Sequence, residues 1–536
     1  MVHPLYTSFL APLAGYALYR IVKGLYVEFT SPLRTLPGPP SAHWLYGNTR
    51  ELVEDQFSGL LERWAEQYGP TIRIHEVLGT CRLVTTDLKA IHHILNNTHI
   101  YQKSTTTRET LSLIVGPGLL VVENEEHRRQ RKIMNPAFGI PQIRALHDIF
   151  IQKSVELRDI WMKQATRHGD IVQVDALSWL SKASLDIIGL AGFNYDIHAL
   201  EFDDNSNSDP LINAFNRLCS LQAGISVARF IRHQFPILRY LPTHNNRVAK
   251  AAQAQMMAVG REILVESKRA ILEGTEYDSG RGRDLLSLLV RANTSKDIAI
   301  TQQLSDEDTL AQVPTFLVAG HETTSTALTW ALFALTQNVA VQTRLREELL
   351  AISTDQPSLD ILDDLPYLDN VVRETLRLYA PVSDFNRIAL QDDIIPLDTS
   401  FTDSKGVVRD SLMIQKGQLI FVPIISVNKN PKIWGANASE FRPERWEHNT
   451  DNNIPGIYSH LLTFIGGPRN CIGFRFAIAE IKAVLFVLIR AFEFQLAVSP
   501  DQVGQQDTGI VVRPLLRSSP EAGSQLPVLL KPVVGA

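Results

Sequence analysis

A glycine-rich loop that ends in a cysteine, just before an apolar segment, constrains this chain more than any other feature. The loop covers residues 464–473 (FIGGPRNCIG), and the apolar segment Phe474–Leu496 that follows is predicted to be a helix. Free N–H groups and the positive end of the dipole at a helix N-terminus favour the thiolate of Cys471. Gly466 and Gly467 lack side chains, so the backbone there could lie flat against a planar ligand. A lone cysteine is most often an inert small side chain, so this interpretation needs support from other motifs.

The overall composition excludes several classes of protein. The three cysteines are Cys81, Cys219 and Cys471, and their spacing fits neither a zinc site nor a disulfide framework. The net charge of −5 does not favour nucleic acid as a partner. An apolar fraction of 45% and a charged fraction of 20% are those of an ordinary globular chain, not of a polytopic membrane protein or a disordered one.

Hydrophobic periodicity predicts a mainly α fold with small β-sheets, in the α+β class. Helical periodicity dominates from about residue 140 to 350, with polar interruptions at Asp203–Asn207 and Tyr277–Arg283. Residues 71–86 read as a hairpin, and a second strand-like zone covers Ile394–Val422. Small strand clusters near each end of a helix-rich chain favour one large domain, which we place at residues 41–536.

The N-terminus carries an uncharged, mostly apolar run, Pro4–Tyr19, followed by Arg20 and Lys23. As a helix the run reaches about 24 Å, against about 30 Å for a hydrocarbon core, although snorkelling of the two cations extends its usable length. Cations on the C-terminal side favour a cytosolic body. We expect a membrane anchor helix over 1–27 and a proline-rich hinge over 28–40, with a buried or interfacial helix as the alternative.

The cysteine loop resembles the haem-binding loop of the cytochrome P-450 superfamily. Its pattern F-x-x-G-x-R-x-C-x-G is matched at every fixed position, and Ile465 departs from the small residue that relatives usually carry. The resemblance implies that Cys471 is the axial cysteinate ligand of haem b, a ligation that favours O–O cleavage. It also implies that Arg469 binds a haem propionate, since a guanidinium fork suits a carboxylate.

Two charged motifs agree with this resemblance. Glu374 and Arg377 lie three residues apart, on one face of a predicted helix, and residues 443–446 read PERW. Alone, the first pair would be an ordinary surface ion pair. Together the motifs resemble the E-x-x-R and P-E-R-[FW] elements of the family. The resemblance implies that Glu374, Arg377 and Arg445 form a buried network that fixes the cysteine loop to the core.

A further motif lies in the apolar segment Leu304–Asn338, which is predicted to be one long helix. Residues 319–324 read AGHETT. A metalloprotease site is excluded because Ser325 stands where the second histidine would be needed. The motif resembles the family's [AG]-G-x-[DE]-T-[TS] element and matches it in full. Pro314 predicts a bend or an irregular start in this helix.

The same resemblance assigns roles within this helix. Ala319 and Gly320 would leave room for dioxygen and substrate. Thr323 would hydrogen-bond the dioxygen, and Glu322 would relay protons to it from solvent, tasks that suit a hydroxyl and a carboxylate.

Weaker signals concern the propionates. The family has an aromatic residue four positions before an arginine, and here His127 precedes Arg131 at that spacing. A solvated basic helix face is the alternative interpretation. The resemblance implies that His127 and Arg131 contact one propionate and that Arg387 binds the other. The remaining cations predicted to form a basic face for a reductase are Arg128, Arg129, Lys132 and Lys482.

The implied function is monooxygenation, in which one atom of O2 enters a substrate. No G-x-G-x-x-G or P-loop pattern indicates a fused cofactor domain, so NADPH would supply electrons through a separate membrane-bound reductase. The anchor and the hinge are similar to those of fungal microsomal members, which implies a single-pass protein of the endoplasmic reticulum membrane whose catalytic domain faces the cytosol. The implied partners are therefore a lipophilic substrate, O2, the reductase and membrane lipid, and no nucleic acid.

Apolar residues are expected to line the substrate site. Family resemblance places an apolar substrate pocket at Leu111, Leu113, Ile114, Phe316, Ala319, Val382 and Phe385. A terpenoid or another secondary metabolite is our preferred substrate class. The alternatives are a fatty-acid, sterol or xenobiotic hydroxylase and a haem-thiolate isomerase or dehydratase that does not use O2. A haem sensor and a cysteine hydrolase that uses Cys471 are rivals from other classes.

Overall fold

The structure, a computed structural model, describes most of the chain. The described residues are 29–55, 59–169, 171–201, 243–273, 283–293, 303–448 and 452–533, together with Gly15, Tyr16, Tyr19, Val22 and Tyr26. Most of the predicted anchor, the interruption at Asp203–Asn207, nearly all of the interruption at Tyr277–Arg283 and Cys219 lie outside the described residues.

Helices dominate the described residues. In chain order they are α1 Thr49–Asp55, α2 Leu60–Tyr68, α3 Leu88–Asn96, α4 Thr105–Val115, α5 Asn124–Met134, α6 Ile140–His168, α7 Ala176–Phe193, α8 His244–Glu273, α9 Leu285–Asn293, α10 Asp306–Leu310, α11 Gln312–Gln337, α12 Val339–Leu350, α13 Leu359–Asp363, α14 Pro366–Leu378, α15 Ile424–Asn428, α16 Pro431–Trp434 and α17 Phe474–Ala491.

The strands form small sheets. They are β1 Thr71–His75, β2 Cys81–Thr85, β3 Tyr101–Gln102, β4 Val172–Asp175, β5 Asp384–Ala389, β6 Asp393–Thr402, β7 Val408–Ile414, β8 Leu419–Pro423, β9 Phe492–Leu496, β10 Val503–Asp507, β11 Val512–Leu516 and β12 Pro527–Pro532. The sheet orders are β1-β2-β8-β5-β3, β4-β12-β9, β10-β11 and β6-β7. The predicted fold class, mainly helical with small sheets, is confirmed.

The chain divides into two compact units built from interleaved segments. The first unit comprises residues 1–107, 223–247 and 384–426, and it holds the five-stranded sheet and the β6-β7 hairpin. The second comprises residues 108–222, 248–383 and 427–536, and it holds the long helices α6, α7, α11, α14 and α17.

Both predicted strand regions are confirmed. Strands β1 and β2 pair antiparallel with Thr71 opposite Thr85, and a short turn at Val77–Gly79 joins them. The second region contains β6, β7 and β8. Gly406, at φ 79°, lies in the turn between β6 and β7, where glycine adopts a positive φ without a steric penalty.

The proline-rich segment belongs to the first unit. Pro32–Thr35 forms one 3-10 turn, and the side chains of Leu33 and Leu36 are buried. Ser31 Oγ accepts a hydrogen bond from Gln418 Nε2 at 2.6 Å. The folded body therefore extends to the N-terminal side of residue 41. Across the described positions, no helix combines the length and the apolar character that crossing a bilayer requires.

The predicted helix Leu304–Asn338 is divided in two at Ala311. A capping box at Ser305 starts the short helix α10, and α11 begins after Ala311. Pro314 is the third residue of α11, within the first turn, where a missing N–H costs little. The predicted irregular start is confirmed.

The helix predicted over Phe474–Leu496 is too long by five residues, since α17 ends at Ala491 and Phe492–Leu496 forms β9. Phe492 and Phe494 are buried and Gln495 is exposed, an alternation with the period of a strand. Strand β9 pairs with β12, a partner that is distant in sequence. The apolar run concealed this change from helical to strand periodicity.

Candidate functional site

The cysteine loop is an irregular segment held by backbone hydrogen bonds. Short 3-10 turns at Leu462–Phe464 and Gly467–Arg469 shape it, and α17 begins directly after Gly473. The Cys471 N–H donates to the Phe464 carbonyl at 2.9 Å. The loop therefore places Cys471 just before the N-terminus of a largely buried helix, as the sequence predicts.

Ile465 adopts a strained backbone within this loop. Its φ of 57° and ψ of −180° lie in a region that is essentially restricted to glycine, at a cost of about 1–3 kcal/mol for other residues. Its N–H donates to the Leu462 carbonyl at 2.8 Å, and its carbonyl accepts from the Ile457 N–H at 3.3 Å. These bonds on both sides hold the strained conformation.

Cys471 is solvent-accessible although the segments on both sides of the loop are largely buried. The protein around the sulfur still removes water from it, and this burial raises the pKa of the Cys471 thiol. The Gly473 N–H and the charge of Arg131 lower that pKa by less. In the polypeptide alone, burial outweighs the helix-terminus effect expected from the sequence, and a bound metal would favour the thiolate.

Arg131, a predicted propionate contact, binds the residue before the cysteine. Its Nη1 donates to the Asn470 carbonyl and its Nη2 to Asn470 Oδ1, each at 2.6 Å. Its Nε donates to Asn135 Oδ1 at 2.8 Å. Arg131 therefore ties α5 to the cysteine loop, and its contact with a propionate stays a prediction.

Arg469 forms an ion pair that the sequence did not predict. It pairs with Glu123, which precedes α5, and its Nη1 donates to the Val122 carbonyl at 2.8 Å. Both side chains of the pair are buried. Its predicted propionate contact also stays a prediction, and so does that of His127, which is buried on α5.

Arg387, in the first unit, is a buried cation on β5. It donates to the Asn386 carbonyl at 2.8 Å and lies over the ring of Phe385 at 4.8 Å. Among the described residues no carboxylate forms an ion pair with it. Burial lowers the pKa of Arg387 to about 10. A buried guanidinium without an anionic partner is costly, so this residue suits a carboxylate ligand such as a haem propionate.

The structure brings the three residues of the predicted network together. Glu374 accepts from Arg377 Nε at 2.8 Å and from Arg445 Nε at 3.3 Å, and all three side chains are buried. Trp446 Nε1 also donates to Glu374, at 3.0 Å. Arg377 further donates to the carbonyl of Ala438 at 2.6 Å. The network therefore joins α14 to the segment that contains the PERW motif.

The middle of the buried helix α11 has a short accessible stretch. Ala319 is exposed and Thr323 half-buried, one turn apart, while most of the rest of the helix is buried. The Thr323 hydroxyl donates to the Ala319 carbonyl at 2.7 Å. A side chain at Gly320 would come within 2.9 Å of Ile188 on α7. Gly320 therefore permits close helix packing, a reason different from the predicted space for dioxygen.

Glu322, the predicted proton relay, is buried on α11. Its carboxylate pairs with Arg513 on β11, which the sequence analysis did not single out. His321 lies beside it, with Nδ1 3.9 Å from Glu322 Oε1 and Nε2 2.6 Å from Ser181 Oγ. No local sequence signal could have found Arg513, because the pair joins residues 191 positions apart.

The residues of the predicted pocket are apolar and differ in exposure. Phe316 is buried on α11, and its ring lies 5.6 Å from that of Phe138 in an edge-to-face pair. A side chain at Gly473 would lie 3.8 Å from Phe138, so Phe138 connects α11 with the cysteine loop. Phe385 is buried; the half-buried members are Leu111, Leu113, Ile114 and Val382.

The predicted basic face is wrong for Lys482. That side chain is 4% exposed and pairs with Asp363 at 2.9 Å and Asp369 at 3.0 Å. Arg128 is exposed, and its positive charge is partly neutralised because it pairs with Glu125 at 2.6 Å.

These residues fit a haem with a cysteinate ligand. Cys471 is an accessible residue in a loop without bulky side chains at Gly466 and Gly467, and the Gly473 N–H at the start of α17 favours its thiolate. The fold and the cysteine loop together define a haem-thiolate protein.

Comparison with known proteins gives the same class. The cytochrome P450 family model matches residues 37–518. The chain is 47% identical over 510 residues to cytochrome P450 monooxygenase 205 of Postia placenta, with 94% of this chain and 93% of the relative covered. It is 37% identical to cytochrome P450 monooxygenase claO of Ampulloclitocybe clavipes, with 94% of each chain covered. The chain belongs to the cytochrome P450 family, and it is a monooxygenase of that family.

Proposed function

We propose that this enzyme inserts one atom of O2 into a lipophilic small molecule, with a terpenoid or another secondary metabolite as the preferred substrate class. Electrons would come from NADPH through a separate reductase. A haem held by Cys471 would supply the activation of dioxygen. The observation that carries the proposal is the accessible Cys471 at the start of a largely buried helix, within a completely matched loop.

Membership of the family implies the roles of the surrounding residues, and their chemistry suits those roles. Cys471 would hold the haem iron through its thiolate. In the first unit, Arg387 is a buried cation of the kind that would neutralise a carboxylate such as a propionate. Glu322 would accept a proton from the solvent side and pass it toward Thr323, whose hydroxyl would orient dioxygen. The buried position of Glu322 limits solvent access, which restricts loss of protons and reducing equivalents.

The substrate class follows from the predicted pocket residues of the second unit. Leu111, Leu113 and Ile114 on α4 and Phe316 on α11 carry no polar group. Such side chains bind an apolar surface and provide no counter-charge for an ionic ligand. A terpenoid satisfies that requirement, and so would a sterol or a fatty acyl chain.

We further propose that the protein is anchored in the endoplasmic reticulum membrane by its N-terminal segment, with the catalytic body in the cytosol. The uncharged run Pro4–Tyr19 and the cations that follow it support this proposal. Fractionation of cells tests it, since the enzyme should sediment with microsomes and stay protease-accessible in sealed vesicles.

The reduced carbon-monoxide difference spectrum tests the central assignment. The wild type should show the strongly red-shifted Soret band of a cysteinate-ligated haem, and Cys471→Ala should lose it. Cys81→Ala, at a half-buried cysteine on β2, is the matched control and should keep the band. A haem-loaded wild type without the band, or a Cys471→Ala variant with it, would overturn the assignment.

Turnover with a reductase tests the substrate class and the dependence on O2 and NADPH. Terpenoids, sterols and fatty acids are incubated with enzyme, reductase, NADPH and labelled O2. Label from O2 in the product supports the proposal. Product that forms without O2 or NADPH would instead favour an isomerase or a dehydratase.

A further inference from the structure

The buried acid of α11 has a cationic partner on a different element. Glu322 is 2% exposed, and its Oε2 accepts a hydrogen bond from Arg513 Nη2. A carboxylate at this depth needs a counter-charge, because an unpaired buried charge is strongly destabilising. Arg513 is therefore part of the environment that allows Glu322 to be ionised.

His321, a titratable neighbour of Glu322, does not provide that charge. His321 is fully enclosed between α11 and α7, with Nε2 2.6 Å from Ser181 Oγ. Burial lowers the pKa of His321 to about 4, so the imidazole is neutral at physiological pH. Arg513, in contrast to His321, is a permanent cation, and it pairs directly with the Glu322 carboxylate.

The strand that carries Arg513 is held in place through the preceding residue, Val512. The Val512 carbonyl accepts from Trp330 Nε1 at 2.8 Å, and the Val512 N–H donates to the Pro381 carbonyl at 2.8 Å. Trp330 is on α11, two turns beyond Glu322, so the backbone next to Arg513 is fixed to the same helix. The Arg513 side chain is 19% exposed, so its guanidinium extends from the buried acid toward solvent.

We propose that Arg513 is a positioning residue for proton transfer by Glu322, an inference that rests on the proposed monooxygenase function. It holds the carboxylate ionised, as a proton acceptor, and aligned on the solvent side of α11. Without it, the buried carboxyl group becomes neutral or turns away, and the supply of protons toward Thr323 falls. The C-terminal hairpin β10-β11 thereby contributes to how efficiently NADPH is converted into product.

The first test needs no turnover. Unfolding by urea is followed by circular dichroism for Glu322→Gln, Arg513→Gln and the double variant. Arg513→Gln should raise the unfolding equilibrium constant about 100-fold, because the buried Glu322 carboxylate loses its counter-charge. Glu322→Gln should raise it less, because the Arg513 side chain is 19% exposed. The double variant should raise it far less than the product of both effects. Additive effects would show that the pair does not couple and would overturn the proposal.

The second test measures product and hydrogen peroxide per NADPH. Arg513→Gln should lower product per NADPH about tenfold, with KM changed less than about twofold because Arg513 is not proposed to touch substrate. Arg513→Lys, which keeps the charge, should restore most of the yield. Arg517→Gln, at an exposed arginine just beyond the same strand, is the matched control. A normal yield in Arg513→Gln would overturn the role of Arg513.

Two further comparisons test the role of Arg513 even if Arg513→Gln does not fold or the wild type shows no turnover. If Arg513→Gln does not fold, the double variant is compared with Glu322→Gln, and equal yields are expected because Arg513 acts only through Glu322. A further loss in the double variant would overturn the proposal. A wild type that lacks any O2-dependent turnover would overturn the proposed function and this inference with it, whatever the unfolding measurements report.

Discussion

Glu480 is a buried carboxyl group that the proposed chemistry does not use. It lies on α17 and accepts a hydrogen bond from Ser184 Oγ at 2.7 Å, while its other oxygen has no hydrogen-bond partner among the described residues. Burial raises the pKa of Glu480 to about 8, and Ser184 lowers it by less. The folded protein therefore binds a proton here that the unfolded chain releases near pH 4.5.

Glu480→Gln should remove a pH dependence of stability. Because the folded pKa is raised, the stabilisation by protonated Glu480 is present below about pH 4.5 and is lost as the pH rises through about 8. At pH 9 the glutamine variant should be more stable than the wild type by on the order of 5 kcal/mol, and near pH 4.5 the two should be similar. Urea unfolding between these pH values measures this, and parallel curves for the two proteins would contradict it.

Thr323→Ala should uncouple NADPH oxidation from product formation. Thr323 provides the accessible hydroxyl on α11, so its loss should lower product per NADPH about tenfold and raise hydrogen peroxide. Thr329→Ala is the matched control, since Thr329 donates to Ser325 at 2.7 Å in the same i−4 geometry but is fully buried. Unchanged coupling in Thr323→Ala would remove Thr323 from the relay.

At the scale of elements, the Glu374 network fixes α14 to the segment before the cysteine loop. Besides the two arginines and Trp446, the Arg442 N–H donates to Glu374 Oε1 at 2.9 Å. The Glu374 carboxylate accepts five hydrogen bonds in all, so its loss leaves several buried donors without an acceptor. The network therefore acts as one unit and not as separate ion pairs.

Glu374→Gln should destabilise the fold by about 3–5 kcal/mol, because two buried guanidinium groups lose their counter-charge. Glu347→Gln, at an exposed glutamate on α12, should change stability by less than about 0.5 kcal/mol. Urea unfolding and the yield of haem-loaded protein measure both effects. A Glu374→Gln variant as stable as the control would show that the network is dispensable.

At the scale of the whole molecule, each compact unit is assembled from segments far apart in sequence. Strand β8 pairs with β2 in parallel and with β5 antiparallel inside the first unit. Leu33 is completely buried in that unit, and Ser31 Oγ accepts a hydrogen bond from Gln418. The folded body therefore includes Ser31 and Leu33, and we expect the segment before about residue 30 to be removable.

A chain that lacks residues 2–28 should fold and keep the carbon-monoxide band, but leave the microsomal fraction. Leu33→Ala in the full-length chain should cost about 2–5 kcal/mol, because it removes a fully buried side chain. Fractionation and urea unfolding measure these outcomes. A truncated protein that still sediments with membranes would contradict the anchor proposal, and one that fails to fold would place the boundary of the body earlier.

The sequence by itself determined the features that depend on neighbours along the chain. The helix-rich class, the hairpin over 71–86 and the irregular start near Pro314 follow from periodicity, turn chemistry and a missing N–H, all of which act within a few residues. The cysteine loop and the E-x-x-R pair were also visible, because their motifs are short and contiguous.

Only the tertiary structure decided the long-range pairings. The partner of Glu322 is Arg513, that of Arg469 is Glu123, and the strand at Phe492–Leu496 forms against β12. A buried charge pairs with whichever opposite charge the fold places next to it. An apolar segment forms a strand where a neighbouring strand can hydrogen-bond to its backbone. Local periodicity carries no information on either condition, so these contacts arise only when the chain is folded.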